Sequence, residues 1–255
     1  MRSLPPIDLH THVAPDIAPA ELQVLNAVLF AATRTLDEAK QALQRADAAT
    51  IWGVGCHPGL ARAHKAFTAT QFTDLITGTA YVSEIGLDGK SRVALDTQHA
   101  TLESILTVLQ DKPRIASIHS YAATDPVLDH LEQRPVSGAV LHWWLGTPSQ
   151  TRRALDLGCY FSVNAAMLHD PERIAALPLD RILTETDHPF GDRASGTARR
   201  PGGVEPVEQA LARTHQLGPQ EIRARMWQNL ARLVSTTRTG RLLPRGLRTV
   251  LAATP

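Results

Sequence analysis

Asp8-Leu9-His10-Thr11-His12 closes the first apolar run of the chain, which begins at Ile7. In an extended strand successive side chains point to opposite faces, so His10 and His12 project the same way and can share one metal ion. A strand ending on two donors is half of a site. Further apolar or β-branched runs follow: Val28 to Ala31, Thr50 to Gly55, Ala80 to Ile85, Arg114 to His119, Gly138 to His142, Cys159 to Val163 and Arg181 to Thr184. With Ile7 to His10 these make eight candidate strands. Between most of them lie segments with helical spacing, such as Leu36, Ala39, Leu43, Ala46 and Leu102, Ile105, Leu106, Leu109. Thr35 with Glu38 reads as a capping box, and Asp125-Pro126, Thr147-Pro148 and Asp170-Pro171 each put a capping oxygen before a first-turn proline. Near-continuous apolar strands separated by capped helices imply a parallel sheet covered on its outer face. Eight such units in 255 residues favour a closed (β/α)8 barrel. An open doubly wound sheet is the alternative, but no glycine-rich phosphate loop follows the first strand to favour it.

The bulk properties exclude several classes. Twenty-six basic residues against 25 acidic ones leave a net charge of +1, so any contact with a polyanion must be local. Cys56 and Cys159 stand far apart, which suits a reducing compartment and no disulfide framework. No apolar run approaches the roughly 20 residues that span a bilayer, and no signal segment is recognisable, so the expectation is a soluble cytoplasmic protein without a membrane partner. Residues 1–237 read as one barrel domain. The stretch from Gly191 to Gly203 reads as a long loop leaving the eighth strand. Two helices then close the domain, one around Val204, Val207 and Leu211, the next opening at Pro219 with Ile222, Met226, Leu230 and Leu233 on one stripe. Residues 238–255 carry Arg238, Arg241, Arg245 and Arg248 among helix breakers and read as a basic packing arm or a disordered extension.

The polar residues at the strand ends are His10 and His12 after the first, Glu84 at the fourth, His119 at the fifth, His142 at the sixth and Asp187 after the eighth. In a barrel all C-terminal strand ends open into one crater, so these six converge. Four imidazoles and two carboxylates exceed the needs of one catalytic ion and suit two divalent ions: zinc, magnesium or manganese. Glu84 is the candidate bridge, because Gly86 follows where the chain must turn past the ions. His57, at the end of the third strand, reads either as a substrate contact or as a structural hydrogen-bond partner. His64, His99, His130 and His215 read as surface residues.

These motifs, with Gly53-Val54-Gly55-Cys56-His57-Pro58, Ser83-Glu84-Ile85-Gly86-Leu87-Asp88, Ile118-His119-Ser120, Leu183-Thr184-Glu185-Thr186-Asp187-His188-Pro189 and Gln228-Asn229-Leu230-Ala231-Arg232-Leu233, resemble the TatD family of metal-dependent deoxyribonucleases in the amidohydrolase superfamily. The likeness runs from Ile7 to Val234 and implies a distorted TIM barrel with a two-metal centre held by His10, His12, Glu84, His119, His142 and Asp187. Three departures mark this chain: Tyr121 where the family usually carries arginine, Trp143-Trp144 after His142, and His188 beside Asp187. A narrower resemblance is to the TatD-like component of Qat-type antiphage systems, which would imply protein partners.

The expected reaction is hydrolysis of DNA phosphodiesters, on single strands or DNA ends, by water acidified between two cations. Asp187 and Glu84 are the candidate catalytic carboxylates, with Asp187 orienting the water and accepting its proton. Candidate substrate contacts are His57, Tyr121, His188, Arg199 and Arg200, with Arg193, Trp143 and Trp144 as further phosphate or base contacts. One rival is hydrolysis of a carbon-centred ester, lactone or amide in the same fold. Another is a partner-binding subunit whose metal site is structural.

Overall fold

Each of the eight apolar runs forms a parallel strand in the computed structural model, which describes residues 4–193 and 199–254. They are β1 (Ile7–Thr11), β2 (Val28–Ala31), β3 (Thr50–Trp52), β4 (Tyr81–Gly86), β5 (Ile115–His119), β6 (Ala139–Leu141), β7 (Tyr160–Val163) and β8 (Ile182–Thr184). Regular ladders join β1-β2-β3 and β4-β5-β6-β7-β8. Two irregular seams close the ring. At the first, the chain running on from β3 bonds to β4 through Ser83 N to Val54 O (3.2 Å) and Cys56 N to Glu84 O (2.9 Å), and Glu84 N also reaches Thr33 O past the end of β2 (2.8 Å). At the second, Asp187 N donates to His10 O (2.8 Å) and His12 N to His188 O (2.9 Å). The fold is therefore a distorted (β/α)8 barrel. The distortion falls where the site is: pairing shifts register between Asp8 and Thr11 on β1 and between Val82 and Ile85 on β4, the strands carrying His10 and Glu84. Such irregularities re-aim side chains that a flat ladder would hold in strict alternation.

The covering helices are α1 (Pro19–Gln23), α2 (Leu36–Ala42), α3 (Ala61–Ala66), α4 (Ala69–Leu75), α5 (Leu95–Asp111), α6 (Thr124–Gln133), α7 (Pro148–Asp156), α8 (Pro171–Ala175), α9 (Glu205–His215), α10 (Pro219–Thr237) and α11 (Arg245–Ala252). Their starts follow the capping signals with two differences. Thr35, Thr147 and Asp170 each accept the expected backbone N–H, but Glu38 reaches back to Arg34 N rather than to Thr35 N. α6 begins at Thr124, one residue before Asp125, whose carboxylate instead accepts from Gln150. The stripes on α5 and α10 are buried: Leu102, Ile105, Leu106 and Leu109 on one, Ile222, Met226, Leu230 and Leu233 on the other. Between them and the strands lies one continuous apolar core.

Residues 238–254 form an ordered arm, with Leu243 and Leu247 of the α11 region packed into that core. Of the loop from Gly191 to Gly203, residues 194–198 lie outside the described residues. Among the described residues no helix is long and apolar enough to cross a membrane. His64, His99, His130 and His215 are half-buried rather than surface groups. His64 bonds Thr101 and the Pro58 carbonyl, and His99 bonds His130 at 2.7 Å.

Candidate metal centre

Glu84, at the closing seam of β4, lies between two groups of donors. Its Oε2 faces His12 Nε2 at 3.4 Å and His10 Nε2 at 3.8 Å, and Asp187 Oδ1 lies at the same two distances from those nitrogens. Its Oε1 faces His119 Nδ1 at 2.7 Å and His142 Nε2 at 3.1 Å. The six residues gathered from the strand ends therefore meet in one crater, with Glu84 facing donors on both sides, and Glu185 forms a further group with His10 and His142. Their convergence follows from the barrel: β1, β4, β5, β6 and β8 all point their C-terminal ends the same way. Gly86 makes the approach of β5 possible. Its φ is +131°, and a Cβ there would lie 2.1 Å from the His119 carbonyl oxygen.

The donor set fits divalent cations. Asp187 Oδ1 is buried without a hydrogen-bond partner, and its 3.4 Å approach to His12 lies within ion-pair range but outside hydrogen-bond geometry. His10 Nε2 and His12 Nε2 face each other at 3.3 Å, and His119 Nδ1 faces His142 Nε2 at 3.2 Å. Two imidazole nitrogens so placed need a proton or a cation between them. Neighbouring groups set the orientation of the donors. His10 Nδ1 bonds Ser117 Oγ at 2.7 Å, with Ser83 Oγ behind it at 3.3 Å, and this leaves Nε2 turned into the crater. The His10 ring stacks on His142 with centroids 4.1 Å apart.

The electrostatics are dominated by burial and by the carboxylates. Burial pushes the Glu84 carboxyl up, but the imidazoles of His57, His119 and His142 outweigh it and hold it well below the usual range. Burial raises Asp187. His142 is disfavoured as a cation by burial, yet Glu185 and Glu84 raise it well above an ordinary histidine, and Asp187 with Glu84 does the same more weakly for His12. Burial, reinforced by His142, drives His10 well down.

The expected substrate contacts divide. His57 stands at the rim, its Nε2 3.4 Å from Glu84 Oε2. Its Nδ1 accepts the Gly59 N–H at 2.9 Å, so the remaining ring proton lies on Nε2 and faces the crater. Tyr121 and Trp143 line the cavity, together with Leu145 and Phe190. Trp144 does not: it is fully buried, with Nε1 bonded to Thr151. The His188 ring is bound to Asp192 at 2.6 Å. Arg199 is held by Asp192 and the Pro189 carbonyl, and Arg200 by the Leu25 carbonyl with Glu205 beyond. Arg193 lies over the Phe190 ring.

Sequence reasoning missed two supporting carboxylates. Glu185, fully buried, accepts Trp143 N at 2.9 Å, Asn164 Nδ2 at 3.0 Å and the Ser162 hydroxyl, and approaches His142 Nδ1 at 3.8 Å. Its place two before Asp187 repeats the spacing of His10 and His12 and was the available signal. Asp8 accepts Thr186 N, Thr186 Oγ1 and Gly202 N at 2.6–2.8 Å, tying β1 to the segment after β8. Burial pushes its carboxyl up to about 7 against those bonds.

Comparison with known proteins adds independent findings. A profile described as TatD related DNase matches residues 7–235. An uncharacterized metal-dependent hydrolase of Haemophilus influenzae is 26% identical over 203 residues, covering 72% of this chain and 77% of that protein. A Klebsiella pneumoniae protein named as the 3'-5' ssDNA/RNA exonuclease TatD is 27% identical over 118 residues, 43% of this chain and 45% of its own length, so the chain matches under half of that relative. The crystal structure of YJJV, a TatD homolog from Escherichia coli, superposes with a TM-score of 0.77 over 89% of this chain and 97% of that one, at 21% identity, which bears on the fold.

Proposed function

Because the chain belongs to the TatD related DNase family of metal-dependent hydrolases, we propose that its crater hydrolyses phosphodiester bonds of DNA, with two divalent cations held by His10, His12, Glu84, His119, His142 and Asp187. The observation that carries this reading is Glu84, whose two oxygens face separate donor groups at 2.7–3.8 Å. Zinc, manganese or magnesium bound there would lower the pKa of a water and neutralise charge on the phosphoryl oxygens. The chain's own groups do the rest. The Asp187 carboxylate, made more basic by burial, accepts the proton of the attacking water. His57 is kept neutral by burial, which lowers its pKa, and its Nε2–H donates to a phosphoryl oxygen. Glu185 holds the backbone of Trp143, and through it the end of β6 where His142 sits.

The test is cleavage of a labelled single-stranded oligonucleotide by the Mn²⁺-loaded protein before and after chelation, alongside Glu84→Gln. Loss of cleavage in both supports the reading; chelator-resistant cleavage sinks it. One observation favours a second reading, hydrolysis of a carbon-centred ester or lactone: among the described residues lining the crater there is no lysine or arginine. An aryl ester and lactone panel run beside the DNA separates the two. The Qat-like resemblance extends the proposal to antiphage defence in a cytoplasmic protein complex, which plaque counts with wild-type and Glu84→Gln chains test.

A further inference from the structure

After Glu221 the chain carries seven arginines and no acidic residue, and four of the seven, Arg238, Arg241, Arg245 and Arg248, lie on the arm that follows α10. The arm stands beyond the residues matched by the family profile. It is built as a fixed surface. At its start the Thr237 and Thr239 hydroxyls, both buried, bond at 2.8 Å, while Leu243 and Leu247 are buried in the core and Val250 and Leu251 pack against it. With that side of α11 turned to the barrel, no apolar face is left to enter a lipid surface. All four arginines are exposed. Among the described residues none of them meets a carboxylate, whereas Arg45, Arg134, Arg153, Arg173 and Arg223 each do. The arm lies at the floor of the barrel: Arg245 shares a cavity wall with Thr50, the first residue of β3, and Thr79, just before β4. Asp47 in the same wall is already paired with Arg45 at 2.7 Å. The crater opens at the other ends of the strands, and among its described lining residues there is no lysine or arginine.

We infer that the arm is a second nucleic-acid contact, holding the phosphate backbone of a strand at Arg238, Arg241, Arg245 and Arg248, on the side of the barrel away from the crater. The inference rests on the phosphodiester reading and adds to it a site that the crater does not contain. Guanidinium forks donate to phosphate oxygens in pairs and read no base, so the arm holds a strand by its charge alone. A phosphate backbone is favoured over an acidic protein segment because the crater leaves the flanking phosphates of a strand without a cation, and the arm supplies four. A chain of 255 residues has a radius of gyration of about 18 Å, so floor and crater mouth lie on the order of 40 Å apart. A long strand can pass around the barrel and occupy both; a dinucleotide reaches the crater alone. Held at the arm, the long strand meets the crater at a raised local concentration. Each phosphate neutralised adds a slope of about 0.7 to the salt dependence for single strands, so four contacts weaken binding roughly 50-fold between 50 and 200 mM salt, and two contacts only about sevenfold.

The test measures binding of a fluorescent thymidine 40-mer to the full chain, with chelator present so that the strand stays intact, and KM for the 40-mer and for a thymidine dinucleotide with the Mn²⁺-loaded chain. The variants are Arg245→Ala with Arg248→Ala, the same two positions changed to lysine, and Arg152→Ala with Arg213→Ala, which removes two exposed charges from α7 and α9. Expected is a loss of binding of roughly 50-fold from 50 to 200 mM salt in the wild type, the lysine pair and the α7–α9 pair, and of only about sevenfold in the arm's alanine pair. That alanine pair also raises KM for the 40-mer several-fold at low salt and leaves KM for the dinucleotide unchanged. A salt effect equal in the two alanine pairs, or a KM for the dinucleotide that rises as much as that for the 40-mer, overturns the inference while leaving phosphodiester hydrolysis standing. Binding of a polyglutamate peptide that the arm's alanine pair abolishes, with no binding of the 40-mer, overturns it in favour of an acidic protein partner. Arm-dependent binding of the 40-mer with no cleavage of either substrate upholds the arm and sinks the hydrolytic reading instead.

Discussion

Ser117→Ala removes the hydroxyl that turns His10 toward the crater, and its effect can be sized from the structure. Ser117 Oγ lies 2.7 Å from His10 Nδ1, while Ser83 Oγ, at 3.3 Å, is a weaker partner on the same nitrogen. Losing a group that orients a metal-binding imidazole costs about 10–100-fold in metal affinity. With Ser83 still present the single substitution should fall near tenfold, and Ser83→Ala with Ser117→Ala near a hundredfold. At a free Mn²⁺ concentration 100 times the wild-type Kd, binding stabilises the fold by about 2.7 kcal/mol, and a tenfold weaker site loses about 1.3 kcal/mol of this. For a chain of 255 residues that is a drop in Tm of about 2 °C relative to each variant's metal-free baseline. Competition against a chelating dye gives the affinity directly, and calorimetric melting gives the stability. An unchanged affinity in Ser117→Ala, or a double variant no weaker than the single one, would refute the orienting role.

Glu84→Gln keeps the side chain's size but removes the charge that both donor groups face. On the proposed two-cation centre, bound metal should fall to one ion per chain or none, with hydrolysis reduced on the order of 10³-fold; two retained ions by elemental analysis would contradict the bridge. Gly86→Ala drives a Cβ against the His119 carbonyl at a φ of +131° and should destabilise the fold by about 3 kcal/mol in urea titration, an unchanged midpoint being the contrary result. Metal affinity should rise with pH. Despite burial, the carboxylate neighbours raise His142 well above the ordinary value, and His12 more weakly. Both retain protons that a cation must displace, at about tenfold in affinity per pH unit per proton. By the same sign, the stability these two imidazoles lend the metal-free fold is full below their unfolded pKa of about 6.5 and is lost as pH rises through the raised folded values. Calorimetry in buffers of different ionisation enthalpy counts the released protons, and an affinity flat from pH 6.5 to 8 would contradict the assignment.

Much of this protein is written locally. The eight strands, the buried stripes of α5 and α10, and the caps at Thr147 and Asp170 follow from spacings of two to four residues, which a single chain displays without reference to its fold. Once eight parallel strands are granted, the meeting of His10, His12, Glu84, His119, His142 and Asp187 follows too, because a closed barrel gives all strand ends one destination. What the sequence could not decide is which partner a side chain meets across the molecule. Asp8 finds Gly202 beside the seam between β8 and β1, and Glu185 finds Trp143 across the ends of β8 and β6, pairings that no local pattern encodes. Arg199 and Arg200 look like phosphate contacts on paper, but long flexible side chains go where a carboxylate or carbonyl lies near, and Asp192 and Leu25 O lie near. Trp143 and Trp144 are neighbours in sequence, yet the left-handed turn at Trp143 sends one to the rim and the other into the core. Local periodicity decided the barrel and its donor-bearing strand ends. The aromatic rim of the crater and the engagement of Arg199 and Arg200 away from it were decided only by tertiary packing, because they depend on which carboxylate or carbonyl each long side chain meets.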